Sequence, residues 1–516
     1  MATNALFYGD NLVWLRDHKY FPDESVDLIY LDPPFNSKAD YNLLFNEPGQ
    51  RSKSQAQIKA FDDSWHWDSE ASAIALNELA QHKPQIAEFL SWLSRQGKAQ
   101  ESMAAYLSMM AVRLIELQRV LNLKGSIYVH CDSTASHYLK MLMDVVFGVQ
   151  HFRNDIRWKR QPVRGAKSIS QQFARTSDSI LFYTKTSEAT WNRQFKPYNE
   201  GYVKSKFTYQ DKSGRRFRIG DIGDYSEKSI VEFRKLGKIY DYPSGKVGLK
   251  RYLDEQKGEA LGDFWTEPAS INAQAAERLG YPTQKPQALL ERIILASSNE
   301  GDLVLDPFCG CGTTIDAAQK LNRHWLGIDV TWLAIGLVEK RLRATYGSKV
   351  DGKFEVHGKP YDVASAQALA NKSKKEFEIW AVTSVGAAPR EHDGGVDGIM
   401  GFVEKNKKIQ TIIVQVKGGD ALNPGMVRDL IGTVKKEGAA IGLLVTLKEP
   451  TAGMNTLAVH SESYKSELWD KEFPSIQIRT VEELFAGKAF DLPPTKSLLK
   501  NAQLAKEQGQ QISQDI

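Results

Sequence analysis

An aspartate, two prolines and an aromatic residue directly follow a short apolar run near the N-terminus. The run Val26–Leu31, VDLIYL, is followed by Asp32, Pro33, Pro34 and Phe35. The two prolines have no N–H group and a fixed φ, so the chain leaves the strand along a stiff path. Ligands bind at the carboxyl ends of strands in open α/β sheets. The stretch therefore indicates a site, although a strand followed by an Asp-Pro turn explains the same residues equally well.

A second stretch with the composition of a ligand site covers residues 301–330, GDLVLDPFCGCGTTIDAAQKLNRHWLGIDV. Its pattern predicts, in chain order, a strand, a glycine turn, a helix and a second strand, at 303–305, 310–312, 314–321 and 325–328. This is half of a nucleotide-binding βαβ unit, with Asp329 placed to accept hydrogen bonds from ribose hydroxyls. The third glycine of a dinucleotide-binding turn is missing. The turn therefore suits a nucleoside ligand that is not a dinucleotide, such as S-adenosylmethionine.

Length and composition limit the class of protein. A chain of 516 residues with 42% hydrophobic content is expected to hold two or three domains. Its three cysteines, Cys131, Cys309 and Cys311, form no CxxC pair, which fits a reducing, cytoplasmic setting. No apolar run approaches the roughly 18 residues of a membrane span, and MATNALFYGD does not have the pattern of a signal peptide. We expect a cytoplasmic protein with no membrane partner.

Positive charge is concentrated in the middle of the chain. Between Arg157 and Arg251 there are 22 Lys and Arg against 9 Asp and Glu, whereas the whole chain has a net charge of only +4. Aromatic residues are mixed with these cations, as in YVKSKFTYQDKSGRRFR, residues 202–218. Rings stack on bases while cations neutralise phosphates, so the segment predicts a nucleic-acid partner. A solvated, lysine-rich surface is the alternative.

The two stretches together resemble the motifs of a known family. DPPF at 32–35 and DPFCGCGTT at 306–314 resemble the catalytic and cofactor motifs of amino-group DNA methyltransferases, in the order of the permuted β class. FYGDN around Asp10 and YPTQKPQALLERII at 281–294 resemble further cofactor-side segments. Residues 125–148 and 152–160 resemble the modification subunits of type III restriction systems. The resemblance covers about residues 5–345.

This resemblance implies a fold, an activity and a set of site residues. The fold is α/β, with a Rossmann-like S-adenosylmethionine-dependent methyltransferase domain at 1–345 and a target recognition region at about 160–275. The expected acceptor is adenine N6 in double-stranded DNA, and cytosine N4 stays open. The implied catalytic residues are Asp32, Pro33, Pro34 and Phe35, with Phe35 stacking on a base flipped out of the duplex. The implied cofactor-binding residues are Asp10, Asp306, Phe308, Gly310, Gly312, Thr313 and Asp329.

The character of the sequence changes after about residue 346. Polar residues 346–375 predict a linker, 376–490 a smaller α/β domain, and 491–516 a polar tail. Asp397 lies in a glycine-rich turn, and Gln415 and Lys417 share one face of a predicted strand. These three residues resemble the active site of the Mrr-like branch of PD-(D/E)xK restriction endonucleases. The resemblance implies that Asp397 and Gln415 bind Mg²⁺ while Lys417 acts on the attacking water. A strand that ends in an ordinary surface lysine is the alternative.

The combined expectation is a restriction-modification protein that carries a methyltransferase and a fused endonuclease. The alternative is a methyltransferase with an inert C-terminal DNA-binding domain. No GxxxxGK[ST] motif occurs, so ATP-driven translocation would require a separate restriction or helicase partner. A homodimer is a further expected assembly.

Overall fold

The computed structural model describes residues 4–34, 40–46, 55–62, 70–160, 171, 173–272, 275, 277–279, 281, 284–390, 395–405 and 409–496. The chain divides into two compact units. Residues Trp191–Asp263 form the smaller unit, and Met1–Thr190 with Phe264–Ile516 form the larger unit. In the part of the chain that is described, no helix combines the length and the hydrophobicity that a membrane span needs.

The N-terminal part of the larger unit contains both strands and helices. Its strands are β1 (Asn4–Tyr8), β2 (Val26–Leu31), β3 (Asp40–Asn46), β4 (Gln55–Asp62), β5 (Leu121–Cys131), β6 (Phe152–Lys159) and β7 (Ser177–Thr184). Its helices are α1 (Asn11–Leu15), α2 (Glu70–His82), α3 (Pro84–Ser94), α4 (Lys98–Val120) and α5 (Ser136–Phe147). Strand β2 is buried at every position except Asp27. This burial is typical of a strand that is covered on both faces.

The smaller unit is built around a four-stranded antiparallel sheet. Its strands are β8 (Phe195–Lys196), β9 (Tyr209–Gln210), β10 (Arg216–Gly220), β11 (Ile239–Asp241), β12 (Val247–Tyr252) and β13 (Glu259–Ala260), and its helices are α6 (Glu200–Lys206) and α7 (Glu227–Lys235). The sheet order is β11-β12-β10-β9. Phe207, Phe217 and Tyr252 are buried in this unit, so several aromatic residues of the basic segment form its core. The unit falls inside the 160–275 range predicted for target recognition.

The chain then completes a nine-stranded sheet in the larger unit. The added elements are β14 (Phe264–Trp265), α8 (Gln287–Ser297), β15 (Leu303–Asp306), α9 (Thr313–Lys320), β16 (His324–Asp329), α10 (Trp332–Tyr346) and β17 (Phe354–His357). The sheet order is β14-β6-β7-β5-β2-β15-β16-β1-β17. Every neighbouring pair is parallel except the two that involve β7. Strands β2 and β15 are neighbours, so the ends that carry the two predicted motifs meet at one edge.

Residues 346–375 are not the linker that their composition predicts. Strand β17 lies in this range and pairs in parallel with β1, with Ala5 opposite Glu355. Helix α11 (Val363–Lys372) follows, and its N-cap Asp362 forms a capping box with Ser365. The segment therefore extends the nine-stranded sheet by one strand and then continues as helix.

The C-terminal part of the larger unit forms a second mixed sheet. Its elements are α12 (Lys374–Ser384), β18 (Ala388–Pro389), β19 (Gly398–Val403), β20 (Ile409–Lys417), α13 (Pro424–Glu437), β21 (Ile441–Thr446), α14 (Ala452–Val459), β22 (Ser463–Ser466), β23 (Lys471–Pro474), β24 (Ile476–Thr480), α15 (Val481–Phe485) and β25 (Thr495–Lys496). The strand order is β18-β19-β20-β21-β24, and β25 pairs with β19. The predicted tail at 491–516 therefore contains β25, which joins this sheet, and 497–516 lie outside the described residues.

The two sheets of the larger unit share one cluster of buried apolar residues. Trp325 and Trp332 from the nine-stranded sheet and its helices belong to the same cluster as Phe377, Trp380 and Phe402 from the C-terminal part. A further cluster, which includes Ile413 and Leu444, lies within the C-terminal part alone. The C-terminal part therefore has a cluster of its own and also packs against the nine-stranded sheet and its helices through the shared cluster.

Candidate active site

The two predicted motifs line one cavity of about 590 Å³. Asp32 follows β2, and Asp306 ends the neighbouring strand β15, whose Leu305 pairs with Ile29. The cavity is lined by nine of the predicted residues, namely Asp10, Asp32, Pro33, Pro34, Asp306, Phe308, Gly310, Thr313 and Asp329. Parallel strands that end side by side explain how residues so far apart in sequence meet.

One described residue of the two predicted motifs is not part of this lining. Gly312 is described but does not line the cavity. Its φ is +74°, and a Cβ there would lie 2.7 Å from Val338 Cγ2, so this glycine allows α9 to begin against α10. Phe35 lies outside the described residues.

Among the described residues, the Asp32 carboxylate has a partner on one of its two oxygens. Its Oδ2 forms an ion pair with Lys285 Nζ, a contact between residues 253 positions apart. Its Oδ1 is buried and accepts no hydrogen bond from the described residues. A buried carboxylate oxygen without a donor is unfavourable unless a ligand supplies one. The geometry therefore leaves one acceptor ready at the end of β2.

Asp329 is fixed by the turn that follows β15. Its Oδ2 accepts the Gly310 N–H at 2.9 Å, and its Oδ1 accepts the N–H and the hydroxyl of Thr331, both at 2.9 Å. Burial raises the pKa of Asp329. Each carboxylate oxygen has two lone pairs, so the group keeps acceptor capacity toward the cavity.

Asp306 is a buried acid of the cavity with a raised pKa. Burial raises its pKa to about 7, against hydrogen bonds from Thr314 and the Phe308 N–H that lower it. Asp32 and Asp329 add repulsion in the same direction as burial. The protonation state of Asp306 therefore changes near neutral pH.

Asp10 joins the cavity through the cap of a short helix. It is the N-cap of α1 and accepts the Leu12 N–H at 2.8 Å. Arg113 of α4 donates to Asp10 at 2.7 Å and to Asn11 at 2.6 Å. Asn11 in turn donates to the Pro307 carbonyl at 2.7 Å. These bonds tie the segment after β1 to the segment after β15.

A chain of buried polar side chains lies behind Asp32. The Tyr30 hydroxyl is 2.9 Å from His130 Nδ1, and His130 Nε2 is 3.3 Å from Asp178 Oδ2. Burial lowers the pKa of His130, and Lys285 adds to this effect. A neutral imidazole that donates from Nε2 to Asp178 must accept the Tyr30 hydroxyl at Nδ1. The Tyr30 ring, which lines the cavity, is thereby held in place.

The residue types alone did not single out Lys285, Arg113 or the Tyr30–His130–Asp178 chain. Lys285 belongs to the quoted segment 281–294, so its signal was present in the resemblance without a role attached. Arg113 sits in the amphipathic helix α4, where an arginine carries no functional signal.

The C-terminal residues predicted as a second site also lie together. Strands β19 and β20 form an antiparallel pair in which Gly398 is opposite Val414, so Asp397 lies beside Gln415. Asp397 Oδ2 accepts the Val416 N–H at 2.7 Å, and the Gln415 side-chain amide donates to the Gly395 carbonyl. Both side chains are thus partly engaged with the protein's own backbone.

Glu378 is a further acid near this pair that the sequence reasoning missed. Burial raises its pKa, Asp397 adds repulsion, and Lys417 acts in the opposite direction. Glu378 lies on α12, one turn from its start, while the other residues lie on the hairpin. Among the residues with described positions, no group of three or more His, Cys, Asp or Glu is arranged to hold a metal ion.

Two family models match the chain. The DNA methylase model N6_N4_Mtase matches residues 26–340. The model of NACHT-associated inactive Restriction Endonuclease 1 matches residues 378–485. The first match covers more than half of the chain and contains both cavity motifs.

Curated relatives are similar over the same part. The type II methyltransferase M.EcaI of Enterobacter cloacae is 33% identical over 377 residues, 68% of this chain and 72% of that protein. The Mod subunit of the type III restriction-modification enzyme StyLTI of Salmonella typhimurium is 27% identical over 360 residues, 63% of this chain and 51% of that protein.

Among solved structures, a DNA modification methylase from Thermus thermophilus, complexed with S-adenosyl-L-methionine, is 16% identical, with a TM-score of 0.33. The match covers 68% of this chain and 97% of that one. The family is shown by the match to residues 26–340 together with M.EcaI. The chain belongs to the N6_N4 family of DNA methylases.

Proposed function

We propose that the protein is a site-specific DNA methyltransferase of a restriction-modification system that methylates adenine N6 with S-adenosylmethionine as methyl donor. One observation carries the proposal. Asp32 Oδ1, buried and without a donor among the described residues, lines the same cavity as Asp329 and Gly310. An exocyclic base amine is a donor of the kind that this oxygen lacks.

The other side of the cavity fits the cofactor. Asp329 at the end of β16 is an acceptor where ribose hydroxyls bind in such sheets. Gly310, at φ +49°, makes the turn whose N–H holds Asp329. A volume of about 590 Å³ is in the ordinary range for a small-molecule pocket. When bound, S-adenosylmethionine supplies an electrophilic methyl group on its sulfonium. We assign Asp10, Asp306, Phe308, Gly312 and Thr313 to the same cofactor side. Gly312 contributes by allowing the turn before α9, since it does not line the cavity itself.

The chain's own residues must make a weak nucleophile react. The lone pair of an exocyclic amine is delocalised into the base ring. Asp32 Oδ1 and the Pro33 carbonyl would accept hydrogen bonds from its two N–H groups, which lets the nitrogen become tetrahedral. Preorganised acceptors of this kind supply much of the rate gain in enzyme sites. Pro34 stiffens the path of the chain, and we assign stacking on the flipped base to Phe35.

Adenine is proposed as the target because DPPF resembles the motif of adenine enzymes. Cytosine N4 is the alternative, since its amine needs the same two acceptors. Purified protein would be incubated with unmethylated genomic DNA and S-adenosylmethionine with a radiolabelled methyl group, and the DNA digested to nucleosides. The proposal predicts label in N6-methyldeoxyadenosine. Label in N4-methyldeoxycytidine would replace adenine by cytosine, and unlabelled DNA would overturn the proposal.

The smaller unit is proposed to bind double-stranded DNA. Lys204, Lys206 and Lys212 are exposed on it. Phosphate contacts from such residues give affinity without specifying sequence.

We extend the proposal to a cytoplasmic location, where DNA and S-adenosylmethionine are both present. We also propose a homodimer and a separate restriction or helicase partner. Light scattering of the purified protein tests the dimer.

DNA cleavage by the C-terminal part is a second candidate function. It is supported by the hairpin that sets Asp397 beside Gln415, with Lys417 at the end of the same strand. Asp397, the Gln415 oxygen and Glu378 are the groups that would hold Mg²⁺, and Lys417 would orient the attacking water. Two carboxylates are a weak donor set for a hard cation. The matched family model describes an inactive endonuclease, which favours the inert alternative.

Cleavage is tested separately from methylation. Purified protein with Mg²⁺ would be incubated with unmethylated DNA, beside the variants Asp397→Ala and Lys417→Ala. An active Mrr-like nuclease predicts cutting by the wild-type protein that both variants lose while methylation persists. No cutting under any cofactor condition would leave an inert, DNA-binding C-terminal part.

A further inference from the structure

Lys285 approaches the catalytic motif from a separate rigid element. It precedes Pro286, the N-cap of α8, and α8 is anchored in the core by Leu289, Leu290 and Ile293. The side chain of the neighbouring Gln284 accepts the Leu279 N–H at 2.8 Å and donates to the Glu277 carbonyl at 2.6 Å. The Lys285 side chain is only 8% exposed. The ammonium group is therefore carried to Asp32 on a fixed support.

The ion pair decides which oxygen of Asp32 faces a ligand. Lys285 occupies Oδ2, and Oδ1 is left buried without a donor from the described residues. Without a partner on Oδ2, the carboxylate at the end of β2 would be able to rotate about χ2, a broad torsion. A carboxylate that turns no longer presents one oxygen to the amine.

The Lys285 ammonium also offsets negative charge in a cavity that is lined by several acids. Asp32, Asp306 and Asp329 line one cavity, and repulsion from Asp32 and Asp329 contributes to the raised pKa of Asp306. A lysine buried beside Asp32 offsets this repulsion where the acceptor is needed. Buried charges of this kind are normally paired.

We infer that Lys285 is a positioning residue for methyl transfer: its ammonium orients the Asp32 carboxylate so that Oδ1 accepts the hydrogen bond of the target amine. The inference rests on the proposed function. It assigns Lys285 no contact with the base or with the methyl donor. Its removal therefore slows the chemical step and leaves the affinities for cofactor and DNA unchanged.

The test compares Lys285→Gln, Lys285→Arg and the wild-type protein. Single-turnover methyl transfer to unmethylated genomic DNA would be measured with radiolabelled S-adenosylmethionine, and cofactor and DNA dissociation constants by titration. Lys285→Gln should slow methyl transfer by about 100-fold, the cost of a small misplacement of a reacting group. Both dissociation constants should stay within about threefold, which also shows that the variant is folded. Lys285→Arg, which keeps the charge, should recover at least a tenth of the wild-type rate.

A matched control is available at an ion pair between α9 and α8. Lys320 forms an exposed ion pair with Glu291 of α8 at 2.7 Å, so Lys320→Gln removes a lysine without reaching the cavity. This variant should methylate at the wild-type rate.

Three results would overturn the role of Lys285. They are a Lys285→Gln rate within threefold of wild type, a parallel loss of rate and cofactor affinity, and no recovery by arginine. Failure of the wild-type protein to methylate any DNA is a different outcome, because it overturns the proposed function itself.

Discussion

The Tyr8 hydroxyl donates a hydrogen bond to the Glu376 carboxylate at 3.0 Å, across 368 residues of chain. Tyr8 ends β1, two residues before Asp10, and Glu376 lies in the first turn of α12. Burial raises the pKa of both groups. Close by, Trp332 Nε1 donates to the Thr383 hydroxyl at 2.6 Å. The C-terminal part is thus bonded to β1 and α10, the elements next to the segments of Asp10 and Asp329 that line the cavity.

These two hydrogen bonds and the shared core cluster predict that the larger unit unfolds in one cooperative transition. Trp380 is 4% exposed and belongs to the core cluster shared by the two sheets. Trp380→Ala should lower the free energy of unfolding by about 3–5 kcal/mol in a single urea transition followed by circular dichroism. Val459→Ala, at a position 80% exposed, should change it by less than about 0.5 kcal/mol. Two separate transitions, with only one shifted in Trp380→Ala, would show independent domains instead.

The titration of Asp306 predicts how cofactor affinity depends on pH. Because burial raises its pKa to about 7, the group is protonated in the free protein below that pH. A cationic cofactor favours the ionised form of Asp306 over its protonated form. Below about pH 7, cofactor binding must therefore release the proton of Asp306. The dissociation constant for S-adenosylmethionine should rise as the pH falls from about 7.5 to about 5.5, by up to about tenfold per unit. Asp306→Asn should flatten this dependence, and an equally steep curve in the variant would assign the titration to another group.

The same shift has a consequence for stability. A carboxyl group with a raised pKa contributes stability that is full below the unfolded value of 3.8 and is lost as the pH rises through about 7. As the pH rises from 3.8 to about 7, the free energy of unfolding of the wild-type protein should therefore fall relative to that of Asp306→Asn. The expected fall is up to about 1.4 kcal/mol per pH unit. Urea titrations of the cofactor-free proteins at about pH 5 and about pH 7 measure the difference. A difference that does not change with pH would contradict the assignment.

The structure separates the cations of the smaller unit into two groups. Arg216 donates to the Val203 and Phe207 carbonyls, and Arg215 is paired with Asp254 at 2.8 Å, so these arginines stabilise the unit. The side chains of Lys204, Lys206 and Lys212 are exposed to solvent, and the ion pair of Lys204 with Glu200 at 3.6 Å is itself exposed. The lysines are therefore the better candidates for neutralising phosphates.

Changing those three lysines to glutamine should weaken DNA binding and reduce its dependence on salt. The slope of log K against log salt should fall by roughly 0.9 for each phosphate that is no longer neutralised. Fluorescence anisotropy at several salt concentrations measures it. The control changes three exposed lysines of the larger unit, Lys98, Lys124 and Lys349, and should keep the wild-type slope. Equal slopes in all three proteins would place the DNA elsewhere.

The apolar runs predicted the strands that carry the site. Val26–Leu31, interrupted only by Asp27, and the run at 303–305 are apolar and largely buried, so the pattern was sufficient for β2 and β15. Their side-by-side position brings Asp32 to Asp306, and chain order alone does not contain that pairing. The Lys285 ion pair was missed for the same reason, because it joins residues 253 positions apart.

The prediction of a linker at 346–375 differs from the structure for another physical reason. Strand β17, FEVH, alternates apolar and polar residues over only four positions and has no buried residue, so its local signal is too short to predict a strand. Its pairing with β1 at the edge of the sheet determines its conformation. Strand propensity depends on tertiary context in such cases.

The central claim is that Asp32 is the acceptor for the target amine, and methylated-base sequencing of cellular DNA tests it most directly. DNA would be taken from cells that lack other methyltransferases and express either the wild-type protein or Asp32→Ala, with cofactor binding measured on the purified proteins. We predict N6-methyladenine at one sequence context with the wild-type protein and none with Asp32→Ala, while the cofactor dissociation constant stays within about threefold, since the acid lies apart from the Gly310–Asp329 turn. Methylation by Asp32→Ala at more than a few per cent of the wild-type level would contradict the account.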